Sequence, residues 1–131
     1  MKEIASGPSY RVQLDAVKNR IYLSFFGDAV GEASVAGFVD AVKAACALMK
    51  PGFTSLADFT EMKLLGLPDI VQQAQLTLLN AGLQKLASLW DHETFAKMVV
   101  DSSAEKVKSG EYSEKRKVFT DRVEAEAWLN D

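Results

Sequence analysis

Four short segments of this 131-residue chain carry the side chains able to do chemistry. They are Asp28 and Glu32; Asp58, Thr60 and Glu61; Trp90, Asp91 and His92; and Thr120 with Asp121. His92 is the only histidine, and a carboxylate from Asp58 or Glu61 held against it would make a general acid–base pair. No spacing in the chain brings those groups together, and His92 follows an Asp suited to capping a helix, where a polar residue is unremarkable. No residue is therefore assigned a catalytic role. A metal site from Asp58, Glu61, Asp91 and His92 lacks the His-x-x-x-His or Cys-x-x-Cys spacing of metal centres, so neither metal nor cofactor is expected. Gly27 and Gly31 lead into Glu32, which repels an anion, and no phosphate loop or dinucleotide fingerprint is present. The free N–H groups of a helix starting at Pro68 suit a carboxylate or phosphate, with Asp69 competing for them. Asp28, Glu32, Asp58, Thr60, Glu61, Trp90 and His92 remain as candidates for binding a ligand. All fall at the carboxyl ends of predicted strands, where open α/β sheets hold their ligands.

The elements that must position them centre on Gly52 to Gly82. After the break Lys50-Pro51-Gly52, the apolar run Phe53 to Phe59 predicts a buried strand. A polar loop with Thr60, Glu61 and Lys63 leads from it to a helix that starts at Pro68 and ends at Asn80-Ala81-Gly82. Upstream, Ser9 to Ala16 alternates with the period of a half-buried strand: Tyr10, Val12 and Leu14 against Arg11, Gln13 and Asp15. Lys18-Asn19 turns the chain, and Arg20 to Phe26 returns as a second strand, apolar on both faces. Val35, Phe38, Val39, Val42, Cys46 and Met49 form one face of a helix that Ser34 would cap. Downstream, Lys85 to Trp90 predicts a strand, and a helix runs from Asp91 to Gly110 with its weakly apolar far end exposed. Arg116 to Phe119 is a last strand, and Asp121 caps a helix with Ala125, Trp128 and Leu129 inward.

The order is β-β-α-β-α-β-α-β-α, a single α/β domain over residues 10–131 with a mostly parallel sheet and an antiparallel N-terminal hairpin. Residues 1–9 read as a flexible lead-in. Phe25, Leu56 and Leu89 should be deep in the core. On the helix from Pro68, Leu67, Ile70, Val71, Ala74 and Leu78 supply the face for the sheet. Leu76, Leu79 and Leu83 lie on the other side at 100° per residue, and they are candidates for an interface with a second copy, the alternatives being packing on a neighbouring helix of the same chain or the lining of a ligand cavity.

A net charge of −3 argues against a nucleic-acid binder, because phosphate contacts need clustered Lys and Arg. The one dense basic run, Lys115-Arg116-Lys117, reads as a solvated strand edge. A single cysteine, Cys46, fits a reducing cytoplasm, and its place on a buried helix face suits a packed small hydrophobe. No apolar run is long enough to span a membrane, and the first ten residues lack the apolar core of a signal peptide.

Three pieces of the chain together resemble the SpoIIAA-like family. They are LADFTEM (Leu56–Met62), KLASLW after a Gly-ended helix, and VFTDRVEAEAWL (Val118–Leu129). That family is related to STAS domains, the anti-sigma-factor antagonists, and to the lipid-carrying CRAL-TRIO fold. The resemblance implies a STAS-like α/β fold and a cytoplasmic, non-enzymatic regulatory module that binds a partner protein or a small apolar ligand. By the kinship to CRAL-TRIO domains it implies, as the alternative, a carrier of a lipid-like molecule. A small enzyme using His92 with Asp58 or Glu61 is the third reading. STAS switches carry a phosphorylated serine at the head of the second helix. Here that segment is Leu64-Leu65-Gly66-Leu67-Pro68, with no hydroxyl, so that kind of switch is not expected.

Overall fold

The alternation of Tyr10, Val12 and Leu14 with Arg11, Gln13 and Asp15 yields β2 (Tyr10–Asp15), its odd members turned from the core. Asp15 accepts from the amides of Val17 and Lys18, and Asn19 takes φ 54°, which together reverse the chain into β3 (Arg20–Ala29). The side chain of Asn19 also bonds both backbone groups of Lys50, tying this turn to the segment before the central strand. The structure is a computed structural model and describes residues 1–29, 35–65, 68–91 and 95–131.

Within those residues the other elements are β1 (Lys2–Ser6), α1 (Phe38–Ala47), β4 (Thr54–Leu65), α2 (Pro68–Asn80), β5 (Lys85–Leu89) and α3 (Phe95–Lys106). A 3-10 turn (Val107–Gly110), α4 (Glu111–Glu114), β6 (Arg116–Phe119) and α5 (Arg122–Asn130) complete the order. Six strands form one sheet in sequence order, antiparallel from β1 to β3 and parallel from β3 to β6. The expected α/β architecture is observed, and Asp121 caps α5 by accepting from the Val123 amide.

Alternation along the strands divides the core in two. Leu23 and Phe25 of β3, Ala57 and Phe59 of β4, and Leu86 of β5 face α1, α2 and α3. Tyr22, Leu56, Ala87, Leu89 and Phe119 face the opposite way and are covered by Ala125, Trp128 and Leu129 of α5. Phe25, Leu56 and Leu89 are all buried, as expected. One buried cation joins α5 to the sheet. Arg20 donates to Thr54, Glu126 and Asn130, and Tyr22 donates to Glu126.

At Gly82, φ is 105°, and the backbone closes α2 through bonds from Gly82 and Leu83 to Leu79 and Leu78. A Cβ there would stand 3.0 Å from Pro51 Cα. Glycine is needed for both reasons. Its carbonyl accepts from Gly52, which docks the end of α2 on the entrance to β4.

Several expectations change. The lead-in is not free chain: β1 pairs with β2 as an edge strand, and Ile4 and Ala5 pack against the core. Thr60 and Glu61 belong to β4 rather than to a loop, because β3 and β4 stay paired, through two irregularities, as far as Ala29 and Leu65. The first helix starts at Phe38, after a left-handed Gly37, and Ser34, its expected cap, lies outside the described residues. Helix α3 stops at Lys106, where Lys108 and Ser109 turn left-handed. The far end is exposed along one side, at Ser102, Glu105, Lys106, Lys108 and Ser109, but Ser103, Ala104 and Val107 are buried on the other.

Candidate functional site

The sheet separates the expected strand-end constellation. Asp58 and Phe59 are neighbours on β4 and so face opposite ways. Asp58 stands on the α5 side, where its Oδ1 accepts from the Thr60 amide at 2.9 Å and the Thr60 hydroxyl at 2.7 Å. Its Oδ2 lies 3.4 Å from Arg122, whose guanidinium sits over the ring of Tyr22. With the exposed Glu61, Arg11, Ser24 and Phe26, Asp58 borders an open groove of about 290 Å³. Trp90 belongs to the other face. It is 2% exposed, its indole N–H donates to Ser88 Oγ at 2.8 Å, and its ring stacks on Phe59 at 4.3 Å. Asp58, Thr60 and Glu61 therefore share one neighbourhood, and Trp90 is not part of it. Glu32 and His92 lie outside the described residues, as does the side chain of Asp28; the Asp28 backbone pairs with Leu64. Among the described residues no group of three or more His, Cys, Asp and Glu is placed to hold a metal ion.

A different site lies on the face that holds Trp90. The rings of Trp90, Phe59 and Phe25 form a continuous stack, and Phe38 of α1 meets Phe25 edge-on at 4.8 Å. Above Phe25, Phe38 and Phe59, Ile70, Val71, Ala74 and Leu78 of α2 and Val100 of α3 leave a cavity of about 40 Å³. Its wall is apolar except where Gln75, Ser88, Tyr112 and Arg116 enter. Val35, Phe38 and Ile70 border both the cavity and an open groove of about 430 Å³ between the starts of α1 and α2.

The polar end is asymmetric in its bonding. Arg116 Nη2 donates to Asp101 Oδ1 at 2.7 Å and to Ser88 Oγ at 3.1 Å. Gln75 Nε2 reaches the Val100 carbonyl at 3.5 Å. Gln75 Oε1 and Arg116 Nε are buried with no hydrogen-bond partner. Such atoms are uncommon in folded proteins and each leaves a desolvation cost uncompensated. Burial works to raise the Asp101 carboxyl, but hydrogen bonds and charge from Lys97 and Arg116 outweigh it and hold its pKa below the ordinary value. Burial pushes the Tyr112 hydroxyl, on the same wall, far up against the opposing charge of Arg116.

No family model, curated protein or solved structure matches this chain.

Local geometry is thus the guide to the site, and it corrects two readings. The basic run does lie on the edge strand β6 with Lys117 exposed, but the Arg116 side chain is 8% exposed and turned to Asp101 of α3. The outward leucine stripe dissolves as well. Leu79 and Leu83 are core residues, and only Leu76 is exposed, at 39%. Gln75 and Arg116 were both missed as site residues. The signal for Gln75 was present, since it stands four residues after Val71 and three before Leu78, on the apolar face of its helix. Cys46 packs against the core as expected, and burial pushes its thiol up to about 11.

Proposed function

We propose that this protein is a non-enzymatic, cytoplasmic binding module of the STAS-like kind, and that its ligand is a small, largely apolar molecule held between the sheet and α2. One observation carries the reading: an apolar cavity whose polar end holds two buried atoms without partners. A bound molecule reaching both would offset their desolvation cost, about 1–3 kcal/mol for each such group. The resemblance to the SpoIIAA-like family supports the same reading. At about 40 Å³ the cavity has room for one or two water-sized groups. A larger ligand would leave most of its body in the groove beyond Val35, Phe38 and Ile70. The groove bordered by the same three residues is what supports the alternative of a lipid-like cargo.

Native mass spectrometry of the purified protein tests the proposal. The expected result is an added mass that denaturation releases, and a chain length in the released molecule would favour the carrier. A bare polypeptide mass, with no thermal stabilisation by small apolar compounds, overturns both.

The seam between α2 and α3 supports a partner protein as the second reading. Leu76 and Met98, exposed at 39% and 63%, border two adjoining hollows there that share Gln72 and Lys106. A second copy meeting Leu76 is one such partner. Light scattering decides: Leu76→Glu should halve the particle mass if this helix joins two copies, and an unchanged mass removes the homodimer.

A further inference from the structure

We infer that the buried end of the ligand is a hydroxyl group bridging Gln75 and Arg116. This rests on the ligand reading above and deepens it. The bonding at the polar end sets what the head group must be. The Val100 carbonyl takes the Gln75 amide N–H, so the free atom, Oε1, is an acceptor and requires a donor. Asp101 and Ser88 take the two N–H groups of Arg116 Nη2, so the free Nε–H is a donor and requires an acceptor.

Among common head groups the choice is narrow. A hydrocarbon end serves neither atom. A carboxylate accepts from Arg116 but turns lone pairs towards Gln75 Oε1, which also only accepts. An ammonium donates to Gln75 and repels Arg116. An ether accepts and cannot donate. A hydroxyl both donates, as Gln75 Oε1 requires, and accepts, as Arg116 Nε requires. Water has the same pair of capacities and fits the volume, so it is the competitor that the ligand hydroxyl replaces. The aromatic and aliphatic walls then receive the first carbons attached to it, and the rest of the body lies beyond Val35, Phe38 and Ile70.

Three probes of matched length separate the possibilities in NMR titrations of the whole protein: hexan-1-ol, methyl pentyl ether and hexanoate at pH 7. Leaving a buried acceptor unpaired typically weakens binding about tenfold, so the alcohol should bind about tenfold tighter than the ether. In Gln75→Leu that advantage should fall to near unity while the ether still binds. Gln75→Met serves the same purpose if the leucine variant unfolds at a lower temperature. Equal affinity for all three probes in the wild type overturns the hydroxyl assignment and leaves the apolar cavity standing. Tightest binding of hexanoate also overturns it, in favour of an anionic head on Arg116. If none of the three binds, the cavity is a water site, and the ligand reading falls with the inference.

Discussion

Arg116 is held between Asp101 and Ser88, and the charge beside it has a testable consequence. Asp101 titrates below its ordinary value of 3.8 in the folded chain, because Lys97 and Arg116 stabilise its charged form more than burial penalises it. A carboxyl with a depressed folded pKa stabilises the fold fully above the unfolded value and loses that contribution as the pH falls through the folded one. The urea midpoint of the wild type should therefore drop more between pH 5 and pH 3 than that of Asp101→Asn, followed by circular dichroism. Equal drops would mean that the pair adds nothing. Neither partner was legible as such in the sequence. Asp101 sits in a polar stretch, Asp101-Ser102-Ser103, and Arg116 sits between two lysines. Strand alternation turns one member of a three-residue basic run opposite to the other two, and only the fold decides which direction is inward.

At the scale of the element, α2 shows what a helical period does and does not report. Ile70, Val71, Ala74 and Leu78 were placed towards the sheet, and they line the cavity over it. Leu79 was placed outward, yet it is 7% exposed. Helix α2 touches α1 on one side and α3 on the other, so neighbours cover its flanks as well as its base. Leu79→Ala should cost about 2–5 kcal/mol by chemical denaturation, whereas Leu76→Ala should stay within about 0.5 kcal/mol. Similar losses at the two positions would mean that α2 is turned differently on the sheet. Strand length was underread for a related reason. Thr60-Glu61-Met62 lacks a strand's apolar signature, but backbone pairing with Phe26 and Gly27 carries β4 through it.

Across the whole molecule the two faces of the sheet are unequally protected. Among the described residues three long helices cover one, whereas α5 alone covers Tyr22, Leu56, Ala87, Leu89 and Phe119. Ending the chain at Thr120 would bare those side chains and take Glu126 and Asn130 from the buried Arg20. Breaking such a pair on one side is strongly destabilising, and a contiguous apolar face in water invites association. The truncated protein should bind a hydrophobic dye and lose cooperative thermal unfolding. A sharp transition near that of the full chain would show that the second face needs no cover. Much of this architecture was legible in the residues. The hairpin turn at Asn19, the central strand after Pro51-Gly52, the glycine end of α2, the Asp121 cap and the α/β order all follow from local rules of turn chemistry and period. The site was less so. Periods of 2 and 3.6 tell which residues share a face of their own element, and this is why Phe25, Leu56 and Leu89 could be named as core. They are silent on which neighbour meets that face, because crossovers and packing between distant segments settle it. Only the tertiary structure therefore put Asp58 and Trp90 on opposite sides of one sheet. It also drew Leu79 into the core and brought Gln75 and Arg116, 41 positions apart in the chain, to the polar end of one cavity.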